Sequence, residues 1–172
     1  MSMRKIAKRE LVNMLLANNN AQPKAKYSNN ILLAMLDKMP SDFVATLEPT
    51  REGFAINRGS LAECLVKYAI TGECEKSQAS IADLDTSKTS QAVLDKYGLP
   101  RSTNIEIKYS TSFAPATHKT SKARYTIIVS QLGIHLIESR NLVSTSAGKI
   151  NINNQRAKDL VELKALESRL GL

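Results

Sequence analysis

A carboxylate and an ammonium group stand two residues apart in the segment IEIK at positions 105–108. Because side chains alternate between the faces of a strand, a strand here would turn Glu106 and Lys108 to one side and Ile105 and Ile107 to the other. Hard divalent cations such as Mg²⁺ prefer carboxylate ligands. An ammonium group beside the metal can orient or deprotonate water, or stabilise charge that develops on a phosphate. The spacing therefore predicts a metal-dependent site for phosphodiester hydrolysis.

A second carboxylate is needed, because one is too few to hold Mg²⁺. Asp83 and Asp85 lie two residues apart in a strand-like segment, and an adjacent antiparallel strand would bring one of them beside Glu106. Asp95 is a rival, but it belongs to a helix-like segment that ends at Gly98. We expect Asp85 to be the second ligand, followed in preference by Asp83.

Glu63 is a third candidate, at the edge of the apolar face of a helix predicted from the segment SLAECLVKYAIT. A carboxylate at such an edge can face a shared cleft. Ser60 and Glu63 also have the spacing of a capping box, so Glu63 could equally stabilise the helix amino terminus. These two roles do not exclude each other.

The elements that would position these groups follow from periodicity and from turn residues. Helices are predicted at 3–18, 31–39, 60–71, a short stretch before Gly98, and 154–170, and the second of them is capped by Asn29 or Asn30. Strands are predicted at 79–86, at 104–110 and twice within 123–139. A weak hairpin is predicted at 43–56. The order predicts an α/β domain with a small central mixed sheet flanked by helices. We divide the chain into an amino-terminal basic helical extension, residues 1–57, and a core, residues 58–172.

This order of parts resembles the PD-(D/E)xK nuclease superfamily, which has the restriction-endonuclease-like fold. RGSLAECLVKYAIT resembles the leading helix, ADLDT the Asp-bearing strand, IEIKYS the (D/E)xK strand and ARYTIIV the next strand, so the resemblance covers residues 58–137. It implies cleavage of DNA, more rarely RNA, with Mg²⁺ or Mn²⁺. It assigns Glu106 and one Asp as metal ligands, helped by the carbonyl of Ile107. Lys108 would act on the attacking water, and Glu63 would be an auxiliary ligand. No Pro-Asp pair precedes the strand, so the Asp stays open.

The charge balance favours nucleic acid as the partner. The chain carries 24 Lys and Arg against 16 Asp and Glu, a net charge of +8, and a basic domain attracts polyanions. We predict contacts to nucleic acid from two basic stretches: Arg4, Lys5 and Lys8, and His118, Lys119, Lys122 and Arg124. The alternative function is a non-catalytic module on the same fold that binds nucleic acid or protein.

Other features narrow the class of protein. Two cysteines, Cys64 and Cys74, are too few for a disulfide scaffold or a four-thiolate zinc site. We expect Cys64 to be a small core residue in a protein of the reducing cytoplasm. No apolar run approaches the roughly 20 residues of a membrane span, so no membrane partner is expected. Leucines 160, 163, 166 and 170 would line one side of the last helix, as core packing or as the contact of a homodimer.

Overall fold

The computed structural model describes residues 25–46, 58–73, 84–109, 116–117, 123–144, 149–150 and 152–172. The helices are α1 (Ala25–Asp37), α2 (Ser41–Thr46), α3 (Arg58–Thr71), α4 (Gln91–Tyr97) and α5 (Lys164–Leu170). The strands are β1 (Leu84–Asp85), β2 (Asn104–Tyr109), β3 (Ala116–Thr117), β4 (Tyr125–Ser130), β5 (Gly133–Glu138), β6 (Lys149–Ile150) and β7 (Val161–Glu162).

Five of the strands form a mixed sheet in the order β1-β2-β4-β5-β7. The pair β2 and β4 is parallel, and the other three pairs are antiparallel. Strands β3 and β6 form a separate antiparallel pair. This arrangement confirms the predicted fold class, an α/β protein with a small central mixed sheet and flanking helices.

One face of the sheet forms the main core with the helices. Ile105 and Ile127 are fully buried on this face, against Leu65 of α3 and Leu166 of α5. Helix α1 joins the same core through Leu32, which is also fully buried. The opposite face carries a smaller apolar cluster, made of Ile128, Ile137, Ile150 and Ile152. The sheet is therefore covered in part on both faces.

Gly72 and Gly98 end two helices, as predicted, and Ser90 adds an N-cap that was not predicted. Ser90 caps α4 by accepting a hydrogen bond from the backbone N–H of Val93, and Gly98 ends the helix with a φ of 68°. Gly72, with a φ of 78°, follows the last residue of α3. Both glycines adopt the left-handed conformation that commonly ends helices. Helix α3 begins at Arg58, however, so Ser60 is its third residue and not its N-cap, and the predicted capping box is wrong.

Two further predictions, about the start of α1 and about residues 43–46, are wrong. Helix α1 begins at Ala25, so Asn29 and Asn30 lie inside it and do not cap it. Residues 43–46 belong to α2 and not to a hairpin. Here packing outweighs weak local preference, because the Phe43 ring stacks on Tyr68 of α3 with ring centroids 3.9 Å apart.

The last helix is much shorter than predicted, and it begins only at Lys164. The residues before it form 3₁₀ turns and then strand β7, which pairs with β5 through His135–Glu162 and Leu136–Val161. The exposed edge of β5 offers backbone hydrogen bonds that a free helix would leave unused. Leu163, Leu166 and Leu170 are at most 3% exposed and pack in the main core. Leu160 precedes the helix and packs against the smaller apolar cluster instead, so the predicted stripe of four leucines on one helix is wrong.

Cys64 on α3 is half-buried and disulfide-bonded. The expectation of a simple core cysteine is therefore incomplete. Cys74 is the only other cysteine in the sequence, and it lies outside the described residues. None of the described helices combines the length and the apolar character needed to cross a bilayer.

Candidate active site

Strand β2 carries the predicted carboxylate and ammonium on one side. The Nζ atom of Lys108 lies 3.3 Å from Oε1 of Glu106, and the two side chains are 25% and 22% exposed. Ile105 and Ile107 are buried on the opposite face, at 0% and 4% exposure. The predicted alternation along this strand is confirmed, and it places an ion pair in a half-buried position.

The neighbouring strand β4 gives the ion pair one polar and one apolar neighbour. The parallel register sets Glu106 beside Thr126 and Lys108 beside Ile128. The Thr126 hydroxyl is 2.8 Å from the hydroxyl of Ser139, so its hydrogen-bonding capacity is engaged there. Ile128 belongs to the smaller apolar cluster. The ion pair therefore stands at the border of an apolar surface, where charge interactions are less screened than in open water.

Asp85 lies on the same face of the sheet as Glu106, but not directly opposite it. Asp85 pairs with Asn104, which is two residues before Glu106 on β2. The Asp85 carboxylate accepts hydrogen bonds from the backbone N–H of Ser87 at 3.0 Å and from its hydroxyl at 2.7 Å. These bonds cap a 3₁₀ turn and lower the pKa of Asp85. The antiparallel neighbour of β2 was predicted, but the carboxylate of Asp85 is used by its own turn.

The other two candidate ligands among the described residues, Glu63 and Asp95, lie elsewhere. Glu63 is half-buried on α3, whose apolar side packs against the face of the sheet formed by Ile105 and Ile107. Glu106 is on the other face. Asp95 lies on α4, as predicted, where it is exposed and accepts a hydrogen bond from the Gln91 amide at 2.7 Å. Among the described residues, no three His, Cys, Asp or Glu side chains are grouped so that they could hold a metal ion.

Of the residues predicted to contact nucleic acid, only Arg124 is among the described residues. Arg4, Lys5, Lys8, His118, Lys119 and Lys122 lie outside the described residues, as does Asp83. Arg124 is exposed just before β4, and its guanidinium carbon lies 5.7 Å from the centroid of the Tyr125 ring. It is therefore a basic group at the surface that also covers an aromatic ring.

Sequence reasoning missed a group of titratable residues at the other end of the sheet. His135 faces Glu162 across strands β5 and β7, and burial lowers the pKa of His135 while the charge of Glu162 opposes this shift. The Nδ1 atom of His135 is buried and has no hydrogen-bond partner among the described residues. Glu167 on α5 accepts a hydrogen bond from the backbone N–H of Ile134. The pairing of β7 with β5 brings these groups together, and no local sequence pattern predicts that pairing.

No family model, no curated protein and no solved structure matches this chain.

Proposed function

We propose that this protein is a metal-dependent nuclease that cleaves DNA, with Glu106 and Lys108 at the centre of its active site. The observation that supports the proposal is the ion pair on the half-buried face of β2, with Nζ and Oε1 3.3 Å apart. A strand-borne carboxylate with a lysine two residues on, in a chain of net charge +8, suits a polyanionic substrate. Bound Mg²⁺ or Mn²⁺ would activate water and neutralise charge on the scissile phosphate.

The residues of this chain have distinct roles in the proposal. Glu106 and the carbonyl of Ile107 supply hard oxygen donors, the type that Mg²⁺ and Mn²⁺ prefer. Lys108 holds a positive charge beside Glu106, where it can donate a hydrogen bond to a phosphate oxygen or orient water. The apolar neighbour Ile128 limits access of bulk water to this side of the pair. DNA is the proposed substrate, and RNA is the less favoured one.

A second carboxylate must complete the donor set, because the described residues contain no group of three. Asp85 is less suited than the sequence suggested, since Ser87 already engages its carboxylate. We therefore assign the role to Asp83, which lies outside the described residues. Asp83 was the second choice from the sequence, because it lies two residues before Asp85 in the same predicted strand.

A cleavage screen with Mg²⁺ and Mn²⁺ on linear, branched and single-stranded DNA and on RNA tests the proposal. Glu106→Gln should abolish cleavage, because it removes a metal ligand, and Lys108→Met should lower the cleavage rate by about 10²–10⁴-fold, the usual contribution of a positioned acid–base group. Asp95→Asn is the control, because it removes an acid of the same type on the exposed side of α4. Equal cleavage by wild type and Glu106→Gln, in preparations free of contaminating nuclease, would refute the proposal.

The same screen separates the two aspartates. Asp83→Asn should abolish metal-dependent cleavage, whereas Asp85→Asn should leave most of it, because an Asn at position 85 still caps the turn. The reverse result would return the ligand role to Asp85. Full cleavage by both variants would remove the strand-borne aspartate from the mechanism.

A second candidate function is a binding module without catalysis. It is favoured by the engagement of the Asp85 carboxylate in its own turn, through the hydrogen bonds from Ser87. Salt-sensitive binding of DNA without metal-dependent cleavage of any substrate would support it. A cytoplasmic location and a homodimer remain predictions, and sedimentation of the full chain measures the oligomeric state directly.

A further inference from the structure

A cavity of about 500 Å³ opens on the helix-covered face of the sheet, away from the ion pair on β2. Its walls come from the loop at residues 98–100, from the start of β4 and the end of β5, from β7, and from the 3₁₀ turn Ala157–Asp159. Tyr125 and Leu136 contribute side chains from the same face as Ile105. This volume is in the range of sites for small organic ligands, roughly 300–1,000 Å³.

The cavity has an apolar wall that can accept a flat ring. Leu99, Pro100, Tyr125, Leu136 and Val161 line it. Val161 is 55% exposed although it is a large apolar residue in a strand, so its side chain stands at the mouth. The guanidinium group of Arg124 lies over the Tyr125 ring, which adds a positive charge next to this wall.

Three polar side chains of the lining are available to a ligand. The part of the chain that the structure describes offers no hydrogen bond or ion pair to the side chains of Asn141, Lys158 or Asp159. Glu138 also lines the cavity, but Arg140 engages its carboxylate at 2.7 Å. The free groups are thus an amide, an ammonium and a carboxylate around an aromatic and aliphatic wall.

We propose that this cavity binds one unstacked nucleotide. The base would lie against Tyr125 and Val161, since every base has an apolar face that stacks on such groups. Asp159 and Asn141 would hydrogen-bond the pairing edge of the base, and Lys158 would meet the phosphate. A carboxylate accepts from adjacent N–H donors, which guanine presents and thymine does not, so guanine is the preferred base.

This inference does not depend on chemistry at Glu106 and Lys108, which point to the other face of the sheet. The nucleotide could be free or part of a single strand, and these sources share one chemistry. Methyl-detected NMR of the full chain distinguishes them, with dGMP and a single-stranded hexanucleotide of guanine and thymine as the two probes. The methyl groups of Leu136 and Val161 report on the cavity, and those of Ile128 and Ile152 report on the apolar cluster of the opposite face.

Saturable shifts at Leu136 and Val161 with dGMP are the expected result. Shifts there with the oligonucleotide alone would also support the site and would identify a strand as the source. Asp159→Asn and Lys158→Ala should each raise the apparent Kd about tenfold, the usual effect of one hydrogen bond to a charged group. Lys88→Ala, at the opposite edge of the sheet, should leave the Kd unchanged.

Val161→Trp provides an independent variant, because it changes an exposed position and fills the mouth of the cavity. It should abolish the shifts at Leu136 while the spectrum stays that of a folded protein. The proposal is overturned by chemical-shift changes confined to Ile128 and Ile152, by no changes with either probe, or by equal affinities of the wild type, Asp159→Asn and Lys158→Ala. Loss of cleavage in a Glu106 variant with retained binding of dGMP would separate this site from the proposed nuclease site.

Discussion

The carboxylate of Glu167 accepts a hydrogen bond from the backbone N–H of Ile134 at 2.8 Å, and so occupies the place of a neighbouring strand. Strand β7 ends at Glu162, and the next residue, Leu163, donates its N–H to the carbonyl of Ile134 at 2.8 Å. A side chain of α5 therefore completes the hydrogen bonding along this part of the edge of β5. The contact ties the last helix to the β4–β5 hairpin.

Protonation of Glu167 should control the stability of this contact. Burial raises the pKa of Glu167, the hydrogen bond from Ile134 opposes that rise, and the nearby Glu162 adds to it, while Lys164 of the same helix lowers it. Because the pKa of Glu167 is raised in the folded state, its protonation contributes to the free energy of unfolding, and this contribution is complete below the unfolded pKa, near 4.5. It is lost as the pH rises through the folded pKa.

We expect Glu167→Gln to remove this pH dependence, because the amide oxygen still accepts from Ile134 and carries no charge. Urea unfolding from pH 4 to pH 8 measures the free energy of unfolding of both proteins. The free energy of unfolding of the variant should increase relative to that of the wild type as the pH rises. Glu162→Gln should act in the same direction, because it removes the neighbouring charge. A constant difference across the range would contradict the assignment.

Gly133 is required beside this carboxylate. Its φ is 118°, and a Cβ built on it would overlap Oε2 of Glu167. Gly133→Ala should lower the free energy of unfolding by about 1–3 kcal/mol, through backbone strain and displacement of the carboxylate. Gly98→Ala is the matched control, because Gly98 also has a positive φ, but a Cβ added there would meet no described atom within 4 Å. It should cost only about 1 kcal/mol.

The carboxylate contact can be separated from the backbone strain. In a Glu167→Ala background, Gly133→Ala should cost less than in the wild type, because there is no carboxylate to displace. Equal costs in the two backgrounds would show that the strained backbone alone requires glycine at this position.

The extent to which the fold could be predicted depended on how local each signal was. Helix α4 and strand β2 were predicted because their signals are local: Gly98 at the end of the helix, and the alternation of isoleucine with charged residues along β2. Strand β7 was missed because residues 161–162 are a strand only through their pairing with β5. Leucine spacing alone predicted a helix there.

The candidate site shows the same division. That Glu106 and Lys108 share a face followed from the period of a strand. Which aspartate belongs beside them could not be predicted, because it depends on the register between β1 and β2 and on the bonds from Ser87 to Asp85. Two acids two residues apart are equivalent in a sequence, and they become different only when one caps a turn.

The disulfide at Cys64 should be detectable by thiol titration. With two cysteines in the chain, the denatured protein should show no free thiol before reduction and two after it. A bond between Cys64 and Cys74 would close a loop of about ten residues, so its reduction should cost about 3 kcal/mol of stability. Two reactive thiols in protein purified without reductant would show that the bond does not form, and would fit the predicted reducing cytoplasm.

The ion pair on β2 offers a test of function against structure. If Glu106 and Lys108 serve only the fold, replacing both should cost stability. If they serve a reaction, the fold should tolerate their loss, because a partly buried ion pair contributes little net free energy once its desolvation is counted.

The double variant Glu106→Gln/Lys108→Met places an apolar chain beside Ile128, and its free energy of unfolding should lie within about 1 kcal/mol of that of the wild type. Lys108→Met alone should be less stable than the double variant, because it removes the cation and keeps the carboxylate. Urea unfolding of the four proteins of this cycle, run beside the cleavage screen, decides the matter: stability retained with cleavage lost identifies a functional pair, and stability lost in the double variant identifies a structural one.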